Sequence, residues 1–415
     1  MKRLCMLLLA VLLLTSCGKE TETVAFCNFD TGCMLGKTYY QAMGDYLIWN
    51  PESDDVRHGL CYDPLCTHKD TDSLCPDNVW LWGKTILTDG RKLYLNVQNA
   101  ALTDVHNTMY RQIYSLNPDG SDFKLLYTYD ASGGTSPVMQ ISDGFLYFEQ
   151  GFYRGMPDAP DSMNDQYKKI MRIPVNGGKV EAVTEDEMDM NTAFYVDGDH
   201  FFFLLADENG MPFLRIVNKE SRIPTEKTLE ADGMIRVYCG RTYMVTLTPK
   251  TVSGTKEDGS TVSIRVNAET LYLFENNEFR RIAEGDFVFA QNGIWITESA
   301  YEYIGTKFVP TGAYGEMTEM DFFAVTTQKI FQMNPLDCAV TEYSVGSEFN
   351  YGDKIEIISG ADNKLYAAVS NQKQFFETGD SHYRSCLLEV QNEVVSVVKV
   401  YEGTTTQTEK TEERP

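Results

Sequence analysis

One phrase, a strand, a tight turn and a second strand, returns along most of this chain. It reads LTDGRKLYLNV at 87–97, ISDGFLYFEQ at 141–150, YVDGDHFFFLL at 195–205, AQNGIWITES at 290–299 and GADNKLYAAVS at 360–370, with YCGRTYMVTL at 238–247 a weaker copy. The first Asp-Gly pairs are evenly set, with 54 residues from Asp89 to Asp143 and 54 from Asp143 to Asp197. β-Branched and aromatic residues on both sides of Asp-Gly or Asn-Gly mark hairpins. A second hairpin follows each copy: QIYSLNPDGSDFKLLY (112–127), KIMRIPVNGGKVEAVT (169–184), FLRIVNKESRIPTEKTL (213–229), ETLYLFENNEFRRIAEG (269–285), KIFQMNPLDCAVTEYSV (329–345) and CLLEVQNEVVSVVKVY (386–401).

Two hairpins make a four-stranded antiparallel unit. A unit of this size, recurring about every 40–55 residues, is the sequence signature of a propeller blade. A lone blade cannot bury both faces, so blades stack around an axis. Six units fill residues 82 to 401, and a seventh can come from TYYQAMGDYLIWN and RHGLCYD near the N-terminus. The expectation is an all-β chain forming a single β-propeller of four-stranded antiparallel blades, seven favoured over six or eight. A jelly roll or sandwich would not need the same phrase six times. Hydrophobic content of 43% and aromatic content of 12% are those of a packed core.

The N-terminus, MKRLCMLLLAVLLLTSCGKE, has a basic start at Lys2 and Arg3 and an apolar run from Leu4 to Leu14. That run is shorter than the roughly 20 residues needed to span a bilayer and fits a signal-peptide core. It ends in Leu14-Thr15-Ser16-Cys17, which resembles the lipobox of bacterial lipoproteins. The resemblance implies cleavage before Cys17 and a diacylglycerol on its sulfur. The expected division is therefore a lipoprotein signal at 1–16, a lipidated Cys17 with tether at 17–26, a Cys-rich segment at 27–81 giving strands to one blade, blades at 82–403, and a disordered tail at 404–415. The expected location is the bacterial cell envelope, on the extracytoplasmic side of a membrane, to which the lipid ties the chain. Formal charge is −24, with 36 Lys and Arg against 60 Asp and Glu. Such a surface repels nucleic acid and anionic headgroups, so nucleic acid is excluded as a partner.

The phrases DGFLYF (143–148) with KIMRIPVNGGKVEAVT, and IYSLNPDGSDFKLL, resemble blades of TolB-like and low-density-lipoprotein-receptor-like (YWTD-type) propellers. They resemble more closely a domain of unknown function in bacterial propeller lipoproteins. The Tyr-Trp-Thr-Asp tetrad itself is not present in the chain. This resemblance implies the fold and extracytoplasmic binding, and no reaction.

Motifs of chemistry are sparse. Thr31-Gly32-Cys33-Met34-Leu35-Gly36-Lys37-Thr38 is one residue short of a phosphate loop and reads as a turn into the strand Thr38-Tyr39-Tyr40. HExxH and GxSxG patterns are absent. Acidic stretches at 184–191 and 206–210 lack the spacing of an EF-type calcium loop and read as solvated hairpin ends. No catalytic residue and no cofactor is expected.

Setting aside Cys5 and Cys17, eight of the ten cysteines remain. Five of them, Cys27, Cys33, Cys61, Cys66 and Cys75, crowd the segment that departs most from the repeat. Outside the membrane these are disulfide candidates, with one bridge expected between the 27–33 and 61–75 regions. The alternative is a metal held by Cys61, Cys66, His68 and Cys75.

A tight turn joins the two strands of each hairpin, whereas the link between the hairpins is long in most units: 150–167, 248–263, 298–321 and 371–384. Long loops on a rigid scaffold are where binding resides. These loops carry Phe152, Tyr153, Arg154, Tyr301, Tyr303, Phe308, Tyr314, Phe375, Phe376, His382 and Tyr383. Of these, Phe152, Tyr153, Arg154, Tyr301, Tyr303, Phe375, Phe376 and His382 are taken as ligand-binding, with Tyr153, Arg154, Tyr303 and Phe376 foremost. For any single ring the competing reading is that it packs its own loop. The expected function is non-enzymatic binding of a glycan, a peptide or an envelope protein. The alternatives are a carbohydrate-active or other hydrolytic propeller, favoured by a pocket holding two carboxylates, and a structural accessory subunit of an envelope complex.

Overall fold

The computed structural model describes residues 26–28, 32–43, 45–50, 52–53, 58–59, 81–99, 110–131, 139–153, 166–184, 188–189, 191–229, 231, 233–311, 316–379 and 382–401. The strands run in chain order as antiparallel meanders. The first sheet holds β1 to β5 (Phe26–Asn28, Gly32–Leu35, Thr38–Met43, Asp45–Trp49, His58–Gly59). The next holds β6 to β9 (Leu81–Thr88, Leu93–Asn99, Tyr110–Leu116, Lys124–Asp130), followed by β10 to β13 (Met139–Ser142, Phe145–Tyr153, Gln166–Pro174, Glu181–Ala182). Then come β14 to β17 (Ala193–Val196, His200–Ala206, Pro212–Asn218, Pro224–Thr228) and β18 to β21 (Gly233–Tyr238, Arg241–Thr255, Thr261–Glu275, Glu278–Glu284).

The last two meanders are β22 to β25 (Asp286–Ala290, Gly293–Thr311, Glu316–Met333, Val340–Val345) and β26 to β29 (Asp353–Ala361, Lys364–Asn371, His382–Gln391, Val394–Tyr401). They form one eight-stranded sheet, because the outer strands β25 and β29 pair in parallel at Ser344–Val394 and Val345–Val395. One short helix, α1 (Gln372–Thr378), joins β27 to β28. The architecture is that of an all-β chain of four-stranded propeller blades.

The turns explain why the repeat folds this way. At Asp143-Gly144 both residues have positive φ, 51° and 74°, the mirror-image turn whose twist matches a hairpin. Asn276-Asn277 and Asn392-Glu393 repeat the geometry between third and fourth strands. Gly36, at φ 60°, turns β2 into β3, so the phosphate-loop-like stretch is a hairpin.

The chain divides into two compact units, residues 1–49 with 56–199 and residues 50–55 with 200–415. In the first, Cys33 and Tyr40 pack on Ile86, Leu93, Leu95, Val97 and Leu116, joining the first sheet to the second. Leu87, Tyr94, Ile113 and Tyr129 meet Met139, Leu146, Phe148 and Ile173, joining the second to the third. In the second unit Ala290, Trp295 and Ile330 pack on Ile355, Ile357, Leu365 and Leu388. Full burial of each such aliphatic side chain is worth about 1.5–3 kcal/mol.

Two of the four links expected to be long loops, 248–263 and 298–321, are corrected by the structure, and 371–384 holds the short helix; of 150–167, residues 154–165 lie outside the described residues. Residues 248–263 are the outer half of a two-stranded ribbon, β19 and β20, paired from Tyr243–Leu273 out to Thr255–Thr261. Residues 298–321 are largely the ribbon of β23 and β24, paired out to Thr311–Glu316. The physical reason is local. Val252, Val262 and Ile264 alternate with polar residues, which suits a pleated strand. The Lys256–Ser260 turn closes itself, since Lys256 N–H donates to Ser260 O at 2.8 Å and Asp258 Oδ1 accepts from Ser260 N–H at 2.9 Å. Residues 372–378 are helical because Asn371 caps the start, its Oδ1 accepting from Gln374 N–H at 2.8 Å, and Gly379 at φ 81° ends it.

Candidate functional site

The deepest chemistry among the described residues lies in the second unit, where β20, β22 and β23 converge. Gly285 alone links β21 to β22, at φ 143°, and a Cβ there would meet Ile296 Cγ2 at 2.6 Å and Thr297 O at 3.0 Å. This tight crossing sets Asp286, the first residue of β22, opposite Thr297 of β23. Glu269 on β20 is held to the same place: its Oε2 accepts a hydrogen bond from Phe287 N–H at 2.9 Å, and its carbonyl accepts from Gly285 N–H at 3.2 Å. Around them opens a cleft of about 460 Å³, lined among others by Lys250, Asn267, Thr297, Ser299, Tyr301 and Phe331. That volume is in the range of small-molecule sites.

The electrostatics single these residues out. Burial pushes the Glu269 carboxyl above the ordinary carboxylate range, and the charge of Asp286 adds to the rise, against the Phe287 N–H and the cations Arg236 and Lys354. Asp286 is raised by burial, with Lys354 opposing and Glu356 reinforcing. Burial works against the charge of Lys354, yet Glu356 (Nζ to Oε1 3.2 Å), Asp286 and Tyr301 outweigh it and its pKa is raised, so it stays cationic. Tyr301 is raised by burial and by Asp286, so its phenol stays protonated. Two carboxylates that resist ionisation, beside a fixed cation and a phenol donor, are the materials of acid–base catalysis.

Sequence reading does not single out Glu269 or Asp286. Of the rings it names, Tyr301 lines this cleft. Tyr303 sits instead against Phe323 (centroids 5.6 Å) and over Gly254, while its hydroxyl lies 2.7 Å from Thr306 Oγ1. Thr306 donates to Asp321 Oδ1 at 2.6 Å, and Lys256 pairs with the same oxygen at 2.9 Å. Phe375 and Phe376 pack on Phe322 at 6.0 and 5.5 Å, with Gly305 leaving room for the Phe376 ring. Lys307 Nζ donates to Phe376 O at 3.0 Å. Tyr303, Phe375 and Phe376 thus join the second unit's ribbons and helix to one another. In the first unit Phe152 stacks on Tyr167 at 5.3 Å. Phe308 and Tyr383 are exposed. His382 begins β28 opposite Asn371, and Tyr153 ends β11 opposite Gln166. Arg154 and Tyr314 lie outside the described residues, as do Cys17, Cys61, Cys66, His68 and Cys75.

Cys27 and Cys33 are direct partners across β1 and β2, and Cys33 is buried. No group of three or more His, Cys, Asp or Glu among the described residues is arranged to hold a metal ion. None of the described helices is long and apolar enough to cross a membrane.

No protein-family model matches the chain, and no curated protein matches it. Solved structures do. The β-propeller domain of the Trilobed protease from Pyrococcus furiosus is 11% identical, with a TM-score of 0.37, over 78% of this chain and 99% of that one. Pyrococcus horikoshii acylaminoacyl peptidase is 12% identical, with a TM-score of 0.44, over 94% of this chain and 55% of that one. An S511A mutant of puromycin hydrolase is 9% identical, with a TM-score of 0.43, over 91% of this chain and 55% of that one. The chain thus spans the whole of the first but about half the length of the other two. Against the expectation of a non-enzymatic protein, the solved chains it resembles are a protease domain, a peptidase and a hydrolase by name. At such low identity the likeness is one of fold, and the fold is the β-propeller.

Proposed function

We propose that this chain is a hydrolytic β-propeller whose reaction centre is the cleft at Glu269 and Asp286, with a glycosidic bond as substrate. The observation that carries the reading is the pair of carboxyls, both held above their ordinary range, at one cleft. Acetal hydrolysis needs a proton donor and a base and no third catalytic group. Asp286 is the acid, because its burial and the negative charge of Glu356 favour its protonated form. Glu269 is the base, oriented by the Phe287 N–H that binds its ionised form. Water attacks the anomeric carbon and gives its proton to Glu269. The bond to the leaving oxygen breaks as Asp286 protonates it. Lys354 balances the negative charge left on Asp286, and Tyr301 offers a ring face and a hydroxyl to the sugar. A lipid at Cys17 would place this reaction on the outer side of a membrane, within reach of envelope glycans.

The test is turnover of a panel of p-nitrophenyl glycosides by the purified chain, with peptidyl p-nitroanilides in parallel. The expected result is release of p-nitrophenol, reduced about 100-fold or more in Glu269→Gln and in Asp286→Asn. Cleavage of anilides alone, or full activity in both variants, contradicts the reading.

A further inference from the structure

Arg111 is the second residue of β8, where the link from β7 enters, and it is 8% exposed. In register it sits between Gln98 of β7 and Tyr129 of β9, so the three share one face of the sheet. Its Nη1 is fully buried and makes no hydrogen bond among the described residues. A buried cation without a counter-charge is costly, and side chains so placed pair with an acid or bind an anion. No acid among the described residues serves here. Glu149, whose charge also reaches the Tyr129 hydroxyl, is held by Lys168, Nζ to Oε2 3.0 Å, and Lys168 donates further to Thr192 O.

Neutral hydrogen-bonding groups stand on the same face, and the Tyr129 ring also packs against Phe148 at 5.1 Å. Asn96 Nδ2 donates to the Tyr129 hydroxyl at 3.0 Å, and both residues are buried. Burial pushes the Tyr129 phenol up to about 12, against the pull of Arg111, so it stays a neutral donor at physiological pH. Gln112 is occupied elsewhere, its Nε2 donating to Thr128 Oγ1 at 3.3 Å and its Oε1 accepting from Tyr114 at 2.8 Å. In a chain of net charge −24, an interior cation with no acid partner among the described residues stands apart.

We infer that Arg111, with the Asn96 and Tyr129 pair beside it, is an anion site that takes the carboxylate of a small acid. A planar guanidinium matches the two oxygens of a carboxylate in a fork of parallel hydrogen bonds. The site is independent of the Glu269 cleft and stands whether or not that cleft is catalytic.

The experiment is thermal unfolding and calorimetric titration of the whole chain with sodium acetate, with sodium phosphate in parallel, ionic strength being held constant with sodium chloride. Acetate is expected to raise the midpoint by several degrees and to saturate. Arg111→Met is expected to remove the acetate response and to leave the acetate-free midpoint equal or higher, because a buried charge with no acid partner among the described residues is gone. Arg111→Lys, which keeps the charge and loses the fork, is expected to weaken acetate at least 10-fold, and it serves if Arg111→Met does not fold. A wild-type response no different from chloride, a saturating response to phosphate alone, or a wild-type acetate response in either variant overturns the inference.

Discussion

Glu269 Oε2 accepts a hydrogen bond from the backbone N–H of Phe287 at 2.9 Å, which ties the carboxylate of one meander to the residue beside Asp286 on the next. Two acids 17 residues apart, on different meanders, are thereby fixed at one cleft. Asp286 carries the second raised carboxyl, and its burial is the larger cause.

Both carboxyls have folded pKa values above the ordinary carboxylate range, so their ionisation works against the fold. Their favourable contribution is fully present below the unfolded value, near pH 4. It is lost as pH rises through the folded values. Glu269→Gln with Asp286→Asn is therefore expected to unfold at a higher temperature than wild type at pH 7, and the gap should close by pH 4. Thermal scans across pH 4–8 check this, and a gap that widens toward low pH is the opposite sign.

Gly285→Ala is expected to destabilise the chain by about 1–3 kcal/mol, since φ 143° is strained for any side chain and the new methyl meets Ile296 and Thr297. The backbone must shift by a few tenths of an ångström at the cleft floor. Denaturant unfolding should show the loss, and the KM for glycoside should rise.

Lys168 and Glu149 form a buried ion pair, with side chains 3% and 11% exposed. Lys168→Ala leaves Glu149 uncompensated and is expected to cost about 3–5 kcal/mol, whereas Lys168→Met with Glu149→Leu is expected to fall close to wild type. Urea midpoints of the single and double variants decide between them.

Phe376→Ala is expected to lose about 1–3 kcal/mol of stability with turnover little changed, because its ring packs on Phe322 and over Gly305. Tyr303→Ala should behave alike. A variant with unaltered stability and abolished turnover would return Phe376 to a ligand-binding role.

The contrast between fold and cleft in the sequence has a physical cause. Asp143-Gly144 and Asn276-Asn277 announce their turns because few residue pairs tolerate two successive positive φ values, so the local letters carry the geometry. The six repeats of paired hairpins are legible for that reason. The ribbons at 248–263 and 298–321 read as loops, since Gly254, Gly305 and a run of charges resemble loop composition. In the structure Gly254 and Gly305 are there to receive Tyr303 and Phe376. Glu269 and Asp286 look like any of the 60 acidic residues, and only the pairing of strands brings them together. The aromatic rings are conspicuous as letters, yet among the described residues only Tyr301 of those named lies at the cleft.

In the proposed mechanism Glu269 acts as base and Asp286 as acid. This assignment is tested most directly by the pH dependence of kcat/KM on a p-nitrophenyl glycoside for wild type and the two single variants. A bell is expected whose limbs both lie above the ordinary carboxylate range, with the acid limb lost in Glu269→Gln and the alkaline limb lost in Asp286→Asn. A bell of unchanged shape in both variants, with wild-type kcat/KM, would contradict it.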